Sequence, residues 1–176
     1  MQTPRKLIAA FSVAVALLSI SCSDSSPVAP AAPTAQPQAS LIGDLLGATG
    51  LLACTPQPYD SVTKVIGPRG GALKVGTNWF YVPAGALDRD VAITAVAPSG
   101  KVNLVQFQPQ GLRFSRPAVL TMSYANCGLL GWLLPRHIAY TNDRLQILEL
   151  LPALDNLFRK TATARIGHFS GYALAF

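Results

Sequence analysis

The chain has 176 residues, half of them apolar and only 12% charged, with a formal charge of +6. That length holds one domain of ordinary size plus targeting and linker segments. The positive charge does not trace a nucleic-acid footprint: Arg5 and Lys6 belong to an export signal, and the other basic residues, from Lys64 to Arg165, are scattered without recognition-helix or zinc-finger spacing. Nucleic acid is therefore excluded as an expected partner. Fourteen Gly and fourteen Pro fall between short apolar runs, which favours strands and turns over helices.

Residues 1–22 have the three parts of a secretory signal. Arg5 and Lys6 supply the charged start, and Leu7 to Ile20 is apolar apart from Ser12 and Ser19. This run falls short of the roughly 20 apolar residues that span a bilayer comfortably. Small residues then lead to Cys22, and the arrangement resembles a bacterial lipobox. The resemblance implies that Cys22 becomes the new N-terminus, carries lipid and ties the protein to a membrane of the cell envelope. Ordinary secretion after nearby cleavage, or an uncleaved anchor, remain open, and all three place the remainder outside the cytoplasm.

Residues 23–40 are rich in Pro, Ala, Ser and Gln, with Asp24 as their one charge. Such a segment has too little apolar surface for a core, and its prolines bias it to extended conformations, so it reads as a disordered tether. Residues 41–60 form a lead-in. Leu41, Ile42, Leu45, Leu46, Leu51 and Leu52 predict a short, glycine-interrupted amphipathic helix, packed against the domain edge or lying on a membrane surface.

The folded domain is expected over residues 61–176. Ser61 to Ile66 alternates and stops at the Gly67-Pro68-Arg69-Gly70-Gly71 turn. Ala72–Val75 and Trp79–Val82 follow as strands, and Ala84–Asp90 reads as a turn or single helical turn. Val91–Val96, Val102–Phe107, Leu112–Phe114 and Ala118–Tyr124 continue the series, with Pro117 expected to end the short third piece. Residues 129–134 have the makings of a short helix. Strands then recur at Ile138–Tyr140, Leu145–Glu149, Thr161–Ile166 and Phe169–Phe176. About nine strands at short spacing, without helical periodicity, predict an all-β, antiparallel β-sandwich.

With Cys22 assigned to lipid, Cys54 and Cys127 remain. Two cysteines in an oxidising compartment predict one disulfide, worth about 4 kcal/mol on chain-entropy grounds. The alternative is a metal site using Cys54, Cys127, His137 and His168, but no CxxC or HxxxH spacing supports it. No metal or other cofactor is expected.

The segments GPRGGALKV, FYVPAGALDRDVAITAV, FQPQGLRFSRPAVLTMSY and HFSGYAL follow one another between Val62 and Phe176. In this order they resemble ZU-5-like domains, a family found in ankyrins, netrin receptors, death-domain adaptors and bacterial surface proteins. The most specific parts are Val82–Leu87 and Gly111–Pro117. The resemblance implies a β-sandwich used for contacts with another protein, or with a glycan, and supplies no substrate.

In some members of that family, His-Phe-Ser near the domain end is a self-cleavage site. Carried over, Ser170 is the nucleophile, Phe169 supplies the attacked carbonyl, and His168 assists proton transfer. The peptide bond becomes an ester that water splits. The structural reading of the same tripeptide is a capped turn, a core phenylalanine and a backbone-bonded serine, and it is the favoured one. Nothing else in the chain has an enzyme signature: there is no Gly-x-Ser-x-Gly elbow, phosphate loop or zincin motif.

Overall fold

The computed structural model describes residues 50–128 and 135–176. The signal, Cys22, the tether, residues 41–49 of the lead-in and the apolar stretch 129–134 lie outside the described residues. Among the described residues no helix is present, and every strand pairing is antiparallel.

Among the described residues, thirteen strands run in chain order: β1 (Ala53–Gln57), β2 (Asp60–Ile66), β3 (Gly71–Val75), β4 (Asn78–Val82), β5 (Val91–Ala97), β6 (Gly100–Val102), β7 (Leu104–Gln108), β8 (Arg113–Ser123), β9 (His137–Thr141), β10 (Ile147–Leu151), β11 (Ala153–Asn156), β12 (Thr161–His168) and β13 (Gly171–Ala175). A six-stranded sheet has the order β10-β9-β13-β7-β5-β2, and a five-stranded sheet the order β11-β12-β8-β4-β3. β1 and β6 form a separate two-stranded ladder.

The period-2 pattern decides which side of each strand is buried. In β4, Asn78, Phe80 and Val82 point inward and Trp79 and Tyr81 outward. In β5, Ile93, Ala95 and Ala97 are buried, and in β8 so are Ala118, Leu120 and Met122. Apolar side chains from both large sheets meet in one core, giving a sandwich-like arrangement. One end of that core is aromatic: Phe107 stacks on Phe169 with ring centroids 4.8 Å apart, and Phe114 meets Phe169 edge-on at 5.1 Å.

The turns that were legible in the sequence lock to one another. Gly70 has φ 74°, and a Cβ there would collide with the Val82 carbonyl oxygen. Glycine is the residue that tolerates both conditions. The Gly85 N–H, in the Val-Pro-Ala-Gly-Ala-Leu turn, donates to the Pro68 carbonyl at 2.8 Å. Residues 84–90 form a turn without helix.

Three sequence expectations are corrected. The lead-in helix does not extend into the described residues: Leu51 bridges Ala175, the Leu52 N–H donates to the Leu174 carbonyl at 2.9 Å, and Ala53–Gln57 is strand β1. Gly50 and the prolines around β1 disfavour helix there, while the C-terminal end of β13, beyond its pairing with β7, offers backbone partners. Pro117 does not end a strand, because β8 runs through it from Arg113 to Ser123. The ladder gives way instead: Ala118 faces Ile166 and Arg113 faces His168, so more residues of β8 than of β12 fill the interval. Such an irregularity accommodates a residue without an N–H. The expected strand Val102–Phe107 is divided at Asn103, where the chain changes partners, β6 pairing with β1 and β7 with β13.

Asn103 is buried and explains the division. Its side-chain amide and that of Asn78 exchange hydrogen bonds at 2.7 and 2.9 Å, and Asn103 Nδ2 also donates to the Ser123 carbonyl at 2.6 Å. The Ser123 N–H donates to Asn78 Oδ1 at 3.2 Å. This polar staple satisfies the Ser123 backbone at the end of β8 and ties β4 and β8 to the chain where β6 and β7 part.

The disulfide joins Cys54 of β1 to Cys127 just beyond β8. Around it, the Thr55 N–H donates to the Asn126 carbonyl and the Gly128 N–H to the Ala53 carbonyl, both at 2.8 Å. The thiols are consumed by this bond, so Cys54 and Cys127 are not ligands for a metal shared with His137 and His168.

Candidate functional site

Among the described residues, two places bear most directly on function. The first is the rim of the sandwich where β12 passes into β13. His168 ends β12, its ring edge-on to Tyr140 at 5.2 Å. Phe169 is buried in the aromatic end of the core, and its N–H donates to the Leu112 carbonyl at 2.8 Å. Its own carbonyl accepts the Gly111 N–H at 3.2 Å, while the Ser170 carbonyl accepts the Phe107 N–H at 3.1 Å. The tripeptide is thus held by backbone bonds to β7 and to the turn before β8.

Two open clefts meet at this junction, sharing Gln110, Tyr140 and Ser170. One, of 340 Å³, adds Arg113 and His168; the other, of 180 Å³, adds Gln106 and Asp143. Ser170 therefore borders solvent, and the carbonyl it would attack has a backbone donor already in place. Among the described residues no hydrogen bond joins the His168 ring to the Ser170 hydroxyl, and none of residues 168–170 has a positive φ. Tyr172 holds the segment from below, its hydroxyl donating to the His168 carbonyl at 2.6 Å. Burial pushes the Tyr172 phenol well above the usual range, helped by Tyr140 and Glu149, so it remains a neutral donor.

The second place is the outer face of the five-stranded sheet. Strand register aligns one row across it, Lys74–Trp79–Thr121–Thr163–Leu154, and a second, Ala72–Tyr81–Val119–Arg165. Trp79 is 54% exposed, Tyr81 51% and Leu154 80%. Thr121 and Thr163 share a hydroxyl hydrogen bond at 3.0 Å, and Lys74 Nζ lies 5.8 Å from the Trp79 ring centre. Beside them Val119, Pro152, Leu154 and Arg165 line an apolar groove of 470 Å³. Aromatic rings with one polar edge, set among threonines and flanked by cations, suit contact with another macromolecule.

One end of this sheet is stiffened by a buried polar cluster. The Tyr124 hydroxyl donates to Asp155 Oδ1 at 2.6 Å, and the Arg136 N–H donates to Asp155 Oδ2 at 3.2 Å. The Arg136 guanidinium, almost wholly buried, lies 5.6 Å from the Tyr124 ring centre. Burial, reinforced by the Asp155 carboxylate, pushes the Tyr124 phenol up to about 12. The cluster secures β11, the strand that carries Leu154.

Sequence reasoning singled out the His168–Ser170 rim but not the sheet face. In Asn-Trp-Phe-Tyr-Val the aromatics sit on both sides of the strand, so alternation alone does not say which are outside. The signal that was present was Asn78: its partner Asn103 lets a polar residue share the inward side with Phe80. Among the described residues no group of three or more His, Cys, Asp or Glu is placed to hold a metal ion. Comparison with known proteins finds no matching family model and no matching curated sequence.

Proposed function

We propose that this chain is a tethered module of a bacterial cell envelope, ZU-5-like in its fold, that holds another protein, or a glycan, against the outer face of its five-stranded sheet. The observation that carries the contact reading is that face itself: Trp79 and Leu154 in one cross-strand row, and Tyr81 and Val119 in the next, stand on a sheet surface that the described residues leave bare. The tether rests on the sequence, where Cys22 follows an apolar run and precedes a Pro/Ala-rich linker. The disulfide suits an oxidising compartment.

A second reading has one geometric argument in its favour. The Phe169 carbonyl accepts the Gly111 N–H beside a cleft that Ser170 lines, so a donor stands ready for charge on that oxygen. In that reading the domain cuts its own Phe169–Ser170 bond once, and β13 stays paired with β9 and β7.

One experiment tests the tether and separates the two readings. The full chain is exported from a bacterial host with its own signal, and its intact mass is read under denaturing, non-reducing conditions. The tethered module gives a single species that begins at lipid-modified Cys22 and is two mass units below the dithiol form. An unmodified N-terminus beyond Cys22 contradicts the tether. A species ending at Phe169, with a Ser170–Phe176 peptide that disappears in Ser170→Ala, establishes self-processing instead.

A further inference from the structure

The turn between β11 and β12 carries exposed apolar surface of a different kind from the sheet face. Leu157 is 62% exposed and Phe158 101%, so the Phe158 ring stands fully in solvent. Arg159 and Lys160 follow directly, both exposed. Two hydrogen bonds fix the tip from either side: the Arg159 N–H donates to Asn156 Oδ1 at 2.9 Å, and the Lys160 carbonyl accepts the Tyr124 N–H at 2.8 Å. Lys160 holds a left-handed φ of 52°, which turns the chain back into β12. The tip is a built projection.

Its charge is not neutralised from within. Asp155, the nearest acid in sequence, turns its carboxylate inward to the Tyr124 hydroxyl and the Arg136 N–H. Among the described residues neither Arg159 nor Lys160 takes part in an ion pair. Two cations therefore stand beside a bare Leu-Phe pair at a convex point. A protein partner would need a matching pocket to bury such a point. A bilayer needs none: the ring enters the headgroup–acyl boundary while the cations meet anionic headgroups.

The geometry points to Leu157–Lys160 as a membrane-contact tip whose ligand is an anionic phospholipid surface. This goes beyond the contact face proposed above and stands whether or not Cys22 is lipidated. Each basic side chain near an anionic membrane is worth about fivefold in binding, and Phe158 adds apolar burial to that.

Amide hydrogen exchange of the segment spanning residues 154–161 tests it, in the full chain reconstituted on vesicles. On vesicles containing phosphatidylglycerol, exchange of residues 157–160 is expected to slow about tenfold relative to phosphatidylcholine alone. The turn at residues 142–146 serves as internal reference and should not change. Phe158→Ser and, separately, Arg159→Gln should each remove most of the slowing. Both positions are exposed, so neither change threatens the fold, and an intact Cys54–Cys127 bond by mass confirms that. Equal exchange on both vesicle types overturns the proposal. So does slowing in the absence of lipid that grows with protein concentration, which would make a second copy of this chain the occupant.

Discussion

The two large sheets each have an outer face, and their centres differ, although Val65 of β2 and Leu148 and Leu150 of β10 are exposed on the edge strands of the six-stranded sheet. On the six-stranded sheet, Ala139, Ala173 and Ala175 are buried together with Leu51, and Leu104, Leu145 and Ile147 pack around them. The residues at the centre are small, so chain can lie close over them. On the five-stranded sheet the corresponding positions hold Trp79, Tyr81 and Leu154, and they remain in solvent. A sheet face closed with alanines is finished within its own fold, whereas one carrying half-exposed aromatics has apolar area left to bury. The second face is therefore the one on which the proposed contact is placed.

The largest effect expected from breaking this comparison concerns what holds the lead-in on the closed face. Replacing both Cys54 and Cys127 by Ala should cost up to about 4 kcal/mol, read as a fall in the urea midpoint. The same variant should speed amide exchange at Leu51 and Leu52, because the segment they belong to loses its covalent fastening. A midpoint unchanged by the loss of the bond would mean that the lead-in is held without it.

A smaller effect follows from trimming each face directly. Leu51→Ala removes a buried side chain and should destabilise by about 2–4 kcal/mol. Trp79→Ala and Tyr81→Ala should each cost less than about 1 kcal/mol, the scale of exposed cross-strand contacts. Comparable losses on the two faces would remove the distinction between a structural surface and a spare one.

The sequence was most informative where alternation was clean and turns carried Gly or Pro. β5 and the second half of β8 show the period-2 pattern without ambiguity, and the Gly67–Gly71 and Val82–Leu87 turns stand where their residues put them. β1, β6 and β11 were not anticipated. Each is short; Pro56 lies within β1, Pro152 precedes β11, and β6 has only three residues. Such pieces are strands because a partner edge is available, a tertiary fact that no local window holds. Pro117 was expected to stop a strand, yet the irregular register opposite it let β8 continue. The site was legible only at the His168–Ser170 rim, since the bare face depends on which side of Trp79-Phe80-Tyr81 turns inward.

Side-chain oxidation by hydroxyl radicals, compared between the purified full chain and envelopes of cells that make it, tests the central claim most directly. A contact face predicts that Trp79 and Tyr81 react readily in the purified protein and several-fold more slowly in the envelope, while exposed Tyr59, on the loop between β1 and β2, reacts alike in both. Protease or glycosidase treatment of the envelopes would then restore their reactivity according to whether the partner is protein or glycan. Equal oxidation of Trp79 and Tyr81 in both settings would contradict the account.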